Sequence, residues 1–270
     1  MVLVLILVSS GVRAQQLRVM TYNIRYDNPS DGVNQWSSRK NKVYDLIRKY
    51  DPDILGVQEA LANQIDDLLA NLPQYISVGV GRTDGKREGE FSAILYKKDK
   101  LSSQSSGTFW LSETPDVPGS KNWDAAITRI ATWSRFKDKA SGKEFLSINT
   151  HFDHIGKTAR EKSAEIIKTK ANELAGKLPV VITGDFNCTR DEAPYKVMMA
   201  PGVLTLSDPA PSTPPGTFCT FTVNAQKCNP IDYVFLSPQW ASDKYQVITD
   251  NDGKYYPSDH LPVLTTATLR

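Results

Sequence analysis

The sequence predicts an α/β fold with mixed sheets, on three observations. Apolar strand-like runs alternate with helical stripes in the first half of the chain. Strands dominate the second half. No internal repeat or linker interrupts the 270 residues, a length that fits one large domain or two small ones. Alternation followed by a run of strands points to a single α/β domain.

The elements follow in order. Leu17 to Tyr22 is a short apolar-rich strand. Val43, Leu46, Ile47 and Tyr50 recur at i, i+3, i+4 and i+7, one face of a helix. Asp51-Pro52 ends it, because proline disfavours a helical residue before it. Asp53 to Gln58 then reads as a buried strand. Leu61, Ile65, Leu68, Leu69 and Leu72 form a second helical stripe, closed by Pro73. Strand-like runs follow at Tyr75–Val80, Phe91–Tyr96, Ile130–Phe136 and Phe145–Thr150. A helix is expected over Thr158–Ala175, with further strands at Val180–Thr183, Ile231–Leu236 and Val263–Leu269. Residues 110–127, rich in Pro, Ser and Trp, read as the longest loop, placed to overhang a site.

Composition closes off several classes. A 40% hydrophobic share supplies a real core, and 23% charged residues are too few for a disordered chain. Gly and Pro at 16 each exclude collagen-like material. A formal charge of +2 gives no strong nucleic-acid footprint.

The first residues read differently from the rest. Val2 to Val8 is an unbroken apolar run, followed by Ser9-Ser10-Gly11 and Val12-Arg13-Ala14. Such a run is too short for a bilayer core of about 30 Å. It outlines a secretory signal peptide over residues 1–14, cleaved after Ala14, leaving a domain over 15–270. No Lys or Arg precedes the run, so a truncated start and a buried first strand stay open as readings. Cleavage would remove only Arg13, lowering the charge to +1. The expected location is periplasmic or extracellular, with no stable membrane insertion and a monomeric state. Three cysteines exclude a disulfide scaffold. Cys219 and Cys228 could pair across a hairpin or remain buried thiols, with the disulfide favoured by export. Cys188 reads as a buried spectator.

Chemistry concentrates where apolar strands end. The first strand ends in Asn23 and the Asp53–Gln58 strand in Glu59. His151 follows Phe145–Thr150, with Asp153 close behind. Val180–Thr183 runs into Gly184-Asp185-Phe186-Asn187. Asp232 opens a later strand, and Ser258-Asp259-His260 precedes the last. Strand ends that converge on one edge bring acids, amides and imidazoles together. Hard oxygen ligands of this kind suit Mg²⁺ or Mn²⁺, and no Cys–His spacing suggests structural zinc. Each piece alone has a plainer reading. Asp185 and Asn187 occur in ordinary turns, and Ser258-Asp259-His260 could cap one. His154 and Arg160 read as structural, and so do Trp110 and Trp123.

Taken together, Tyr22-Asn23, Gln58-Glu59, Asn149-Thr150-His151, Gly184-Asp185-Phe186-Asn187, Asp232-Tyr233 and Ser258-Asp259-His260 resemble the endonuclease/exonuclease/phosphatase superfamily. The resemblance covers about residues 17–270 in order and spacing. Asp51-Pro52-Asp53, Phe109 through Pro115 and His151-Phe152-Asp153-His154 resemble an exported bacterial subgroup related to the deadenylases.

That resemblance implies a four-layer α/β sandwich, two mixed sheets face to face with helices outside, and hydrolysis of a phosphoester. By the same resemblance Glu59 would hold Mg²⁺ or Mn²⁺, with Asn23 and Asp259 nearby. Asp185 would orient or deprotonate the attacking water, and Asn187 would help hold that water or the phosphate. His260, paired with Asp232, and His151 would contact the phosphate, and Arg129 would help clamp it. A phosphodiesterase or nuclease acting on nucleic acid or a nucleotide is the first expectation. A phosphatase or phospholipase C-type activity on inositol phosphate or sphingomyelin is the alternative within the superfamily. Arg82, Lys86 and Arg87 are the candidate cations for an inositol phosphate. A non-catalytic secreted binding module is the alternative of another class.

Overall fold

In the computed structural model the described residues are 16–224 and 228–270. The expected signal peptide lies outside them. Eleven strands and four α-helices build two sheets. The first strand, β1, is Gln16–Asn23. A 3₁₀ turn at Pro29–Asn34 leads into α1, Trp36–Tyr50. Asp51 ends α1 in the left-handed region, at φ 43°. Then come β2 (Ile54–Gln58), α2 (Ala62–Asn71), β3 (Tyr75–Val78) and β4 (Ile94–Lys97). The second half holds β5 (Leu101–Trp110), β6 (Ile130–Asp138), β7 (Glu144–His151), α3 (Lys157–Ala175) and β8 (Val180–Asp185). It closes with α4 (Ala193–Met199), β9 (Asp232–Leu236), β10 (Trp240–Val247) and β11 (Val263–Leu269).

One sheet runs β10-β11-β1-β2-β4-β3 and the other β5-β6-β7-β8-β9. Three apolar clusters fix the layer order. Met20, Tyr22, Leu55 and Val57 face α1 and α2. Leu146, Ile148, Ile182 and Phe235 face α3 and α4. Leu17, Val19, Ile54, Phe136, Phe145 and Val181 meet between the sheets. The order helix, sheet, sheet, helix is the expected sandwich. Strands covered on both faces read as continuous apolar runs, which is why the central ones were visible in the sequence.

A polar tie crosses the apolar middle layer. Gln58 Nε2 donates to Asn149 Oδ1 at 2.6 Å, and Thr183 Oγ1 donates to the same oxygen at 3.0 Å. Asn149 Nδ2 donates to the carbonyls of Val57 and Ala93. Gly56 makes room: a Cβ there would sit 2.3 Å from Thr183 Oγ1.

The loop expected at 110–127 spans 111–129, since β5 runs through Trp110. It is not the longest. Residues 200–224 form a longer stretch with no regular helix or strand. Pro201, Pro209, Pro211, Pro214 and Pro215 withhold five backbone donors from it. Cys219 of this stretch forms a disulfide with Cys228, beside a bridge between Phe218 and Asn229 rather than on a regular hairpin. Cys188 is a buried free thiol. Among the described residues no helix is long and apolar enough to cross a membrane.

Candidate active site

Strand direction collects the polar ends on one edge of the sandwich. The strands β1 and β2 are parallel, with Asn23 opposite Gln58, so Asn23 and Glu59 leave the sheet together. The strand β11 is antiparallel to β1, with Val263 opposite Thr21, which returns Ser258-Asp259-His260 to the same edge. In the second sheet His151 pairs with Asp185 on parallel β7 and β8. Asp185 faces Asp232 at the start of antiparallel β9.

The residues around this edge are held in demanding backbone shapes. Arg25, Glu59 and Asn187 all have positive φ, at 57°, 64° and 47°. Such positions cost of order 1–3 kcal/mol each and persist where surrounding contacts enforce them. Those contacts are visible. The buried Arg39 guanidinium donates to the carbonyls of Ile24, Arg25 and Pro257. Gln64 accepts from the Asp27 N–H and donates to the Arg25 carbonyl. Ser258 Oγ donates to the Asn23 carbonyl at 2.7 Å.

Asn23 sits at the centre. Its Nδ2 donates to Glu59 Oε1 and to Asp185 Oδ2, each at 3.0 Å, and lies 3.4 Å from His260 Nε2. Its Oδ1 accepts from the Arg25 N–H. So placed, Asn23 braces two carboxylates and has its carbonyl oxygen engaged elsewhere. Two imidazoles flank Asp185. His260 Nδ1 is 2.9 Å from Asp232 Oδ2, and its Nε2 is 3.7 Å from Asp185 Oδ2. His151 Nε2 is 3.4 Å from Asp185 Oδ2 and accepts from Asn187 Nδ2 at 3.1 Å. That contact leaves the His151 proton on Nδ1, which faces Glu90 Oε2 at 4.0 Å.

Charge follows from these neighbours. Burial alone would lower the His260 pKa, but Asp232 and Asp185 together raise it well above that of a free imidazole. Burial also lowers His151, and there Arg129 and Arg82 add to the effect. One imidazole is therefore a cation and the other neutral. Burial, then the charge of Asp232, lifts Asp185 to about 7 against the relief supplied by His260. Asp259 is raised by burial, relieved by His260 and raised again by Glu59.

A cavity of about 490 Å³ opens here, lined by residues of both sheets. Glu59, Asp259 and Arg25 line it, with His151, His260, Asp185 and Asn187. Arg129 lines it too, nearly buried, with Nε 3.8 Å from Asp153 Oδ2, Nη2 3.1 Å from His154 Nδ1 and Nη1 without a hydrogen-bond partner. Every sequence-predicted site residue thus lies on this edge; Asn23 and Asp232 act from beneath the cavity wall. His154 lines the cavity as well, whereas Arg160 braces the Asp153 carbonyl from the core. Of the three loop cations, Arg82 reaches the cavity. Arg87 pairs with Asp66 at the surface, and Lys86 is exposed.

Sequence reasoning missed Arg25, Arg39 and Glu90. Arg25 stands two residues after Asn23, a usable signal. Arg39 lies on a helix among polar residues, with no pattern to mark its burial. Glu90 pairs with Arg82 through two contacts, at 2.6 and 2.8 Å, across a tight loop.

The cavity has two acidic groupings. Glu59 and Asp259 offer oxygen donors only, beside Asn23 and Arg25, and the Glu59 charge pushes the Asp259 carboxyl up. That donor chemistry fits a hard divalent cation. Asp185, Asp232 and His260 also bring ligand atoms within 4.8 Å of one another. A protonated His260 has no lone pair to give a cation, so the second grouping is better suited to moving protons.

Comparison with known proteins agrees with this arrangement. The sequence pattern of the "Endonuclease/Exonuclease/phosphatase family" matches residues 20–260. An endonuclease/exonuclease/phosphatase from Bacteroides vulgatus is 41% identical, with a TM-score of 0.87 over 95% of this chain and 100% of that one. A mannosyl-6-phosphatase from Bacteroides thetaiotaomicron is 39% identical, with a TM-score of 0.87 over 94% of this chain and 100% of that one. Nocturnin from Drosophila melanogaster is 22% identical over 95% of this chain, which spans 47% of that protein's length. A matching pattern over nearly the whole chain, on a fold with these strand ends at one edge, decides the matter: the chain belongs to the endonuclease/exonuclease/phosphatase family of phosphoester hydrolases.

Proposed function

We propose that the chain is a divalent-metal-dependent phosphomonoesterase acting on a small phosphorylated molecule, with a sugar phosphate as the leading class. The observation that carries this is the cavity: about 490 Å³, with Arg82–Glu90 and Ile127 from two loops on one side and Phe218 on the other. A volume of that size suits a small ligand. The 39% identity to a mannosyl-6-phosphatase supports the sugar-phosphate reading over the nuclease reading. A mature charge near +1 also argues against a long nucleic-acid track.

Glu59 and Asp259 would hold the metal, with Asn23 fixing the Glu59 carboxylate. A Mg²⁺ or Mn²⁺ ion bound there supplies Lewis-acid stabilisation of the phosphate oxygens. Asp185 takes the proton of the attacking water, since a carboxyl titrating at about 7 is matched to that task. Asn187 and neutral His151 hold the water and the phosphate in line. The His260 cation, oriented by Asp232, donates to a phosphate oxygen as charge builds. The Arg129 guanidinium, whose Nη1 has no hydrogen-bond partner in the protein, adds a second donor. Export is proposed as well, supported by the Cys219–Cys228 disulfide, which belongs in an oxidising compartment.

The test is turnover of hexose 6-phosphates, inositol phosphates, nucleotides, single-stranded RNA and sphingomyelin with Mg²⁺ or Mn²⁺. Hexose 6-phosphates should be preferred, and chelation should abolish turnover. A preference for RNA, or full activity in metal-stripped protein, rejects this reading.

A further inference from the structure

The cavity does not end at the Arg82–Glu90 pair. A second groove of about 320 Å³ adjoins it, sharing Arg82 and Ile127, and is completed by Thr83, Gly119, Lys121 and Thr128. It runs between the loop 79–93 and the loop 111–129.

Both loops are built to hold that shape. Thr83 N–H donates to the Glu88 carbonyl and Arg82 N–H to the Glu90 carbonyl, so residues 81–90 fold back on themselves. Gly81 permits the fold, since a Cβ there would meet the Glu88 carbonyl oxygen at 2.3 Å. Trp110 Nε1 donates to the Arg82 carbonyl at 2.7 Å, tying this loop to β5. On the other side Gly119, at φ +77°, lets the second loop lie against Thr83, where a Cβ would come within 2.8 Å of its carbonyl. Thr128 Oγ1 donates to the Gly119 carbonyl. Asp153 accepts from the N–H groups of Ala126 and Ile127, holding the loop end against the catalytic edge.

The chemistry of the lining selects among leaving groups. It has no aromatic ring on which a nucleobase could stack, a contact worth about 1–3 kcal/mol per base. It has one apolar side chain, Ile127, too little for an acyl chain. What it offers is hydroxyls, an ammonium and a guanidinium already paired to a carboxylate. The Thr83 and Thr128 hydroxyl oxygens accept from a polyhydroxylated chain, while the Thr83 hydroxyl and the Lys121 ammonium, which also donates to the Ala126 carbonyl, donate to it.

We propose that this groove is a leaving-group subsite, and that the substrate is a phosphorylated oligosaccharide whose second sugar unit lies past Arg82–Glu90 between the two loops. This deepens the sugar-phosphate reading and rests on it. The phosphorylated unit fills the main cavity, and the next unit places its hydroxyls against Thr83, Lys121 and Thr128.

The experiment compares kcat/KM for mannose 6-phosphate and for mannobiose phosphorylated at O6 of its non-reducing unit, in Mg²⁺. The disaccharide should be preferred by about 10-fold, the worth of one or two hydrogen bonds. Lys121→Ala and Thr128→Val, both in a surface loop, should move that ratio toward one. A wild-type ratio near or below one overturns the subsite, as does a preference that neither variant reduces. If neither mannose phosphate nor p-nitrophenyl phosphate is hydrolysed, the phosphomonoesterase reading itself fails and takes the subsite with it. Turnover of mannose 6-phosphate at a ratio of one removes the subsite alone.

Discussion

His151 and His260 are the same side chain in the same cavity, and their neighbours shift them in opposite directions, His260 toward the cation and His151 toward the neutral ring. His260 has Asp232 on Nδ1, and among the described residues that carboxylate forms no ion pair with a Lys or Arg. His151 faces Glu90, but Arg82 neutralises Glu90 from behind. Asp185 lies between the two imidazoles and inherits the tension. Its raised pKa has a stability consequence. The unfolded carboxyl ionises near 4, while the folded one keeps its proton to about 7. Below that window both states are protonated and nothing is lost. As pH rises through it, the unfolded state sheds its proton first, so the metal-free fold loses stability. Asp185→Asn should remove that loss. The variant should melt several degrees higher than the metal-free wild type at pH 8 while losing activity. In the wild type, the rate should climb with pH to a midpoint at or below about 7, because a nearby divalent cation favours the carboxylate. Thermal melts across pH 4–8 and a kcat/KM profile check both limbs; equal melting of the two proteins at pH 8 would contradict the buried-carboxyl account.

Among elements, the strands differ in how they announce themselves. The strands β2, β7 and β8 are covered on both faces; β2 and β8 carry short apolar runs, and β7 is apolar-rich but interrupted by Ser147 and Asn149. The edge strand β5, LSSQSSGTFW, is exposed along its middle and shows no apolar run or alternation. The strand β10 is likewise an edge. Neither was legible, because an edge is selected for polarity that blocks further pairing. Gly56 on β2 marks the closest approach of the sheets, where Gln58, Asn149 and Thr183 meet. Gly56→Ala would force a methyl group into Asn149 and Thr183. It should cost about 3 kcal/mol, in the range of overpacked cores. Urea unfolding at constant m-value would show it. An unchanged midpoint would mean that the sheets can separate there at no cost.

At the scale of the whole molecule, the site exists only where the two sheets meet. Glu59, Asp259 and His260 come from the first sheet, and His151, Asp185 and Asp232 from the second. The His260–Asp232 contact spans that boundary over 28 residues of sequence. If the two act as a unit, His260→Ala and Asp232→Asn should each lower kcat by about 10²-fold or more, and the double variant should lose little beyond either. Measured kcat values on folded single and double variants decide this. Fully additive losses would mean that Asp232 acts through something other than His260.

The sequence by itself determined the α/β class, the central strands, three of the helices and the polar residues at strand ends. Periodicity and burial on both faces are written locally, and local signals survive without a structure. The six spaced motifs carried the family and named the candidate residues that the structure gathers at one edge. Two of their members had another destination. Gln58 and Asn149 share the motif pattern with Glu59 and His151, yet they tie the sheets together inside the core. Alternation sends neighbouring residues to opposite faces of a strand, but which face is the site depends on the partner sheet. Only the tertiary structure decided that, and it alone brought in Arg39, Glu90 and Arg25. The opposite shifts of His151 and His260 were equally out of reach, because a pKa is set by groups distant in sequence. The groove between two loops that meet at Gly119 and Thr83 was hidden for the same reason.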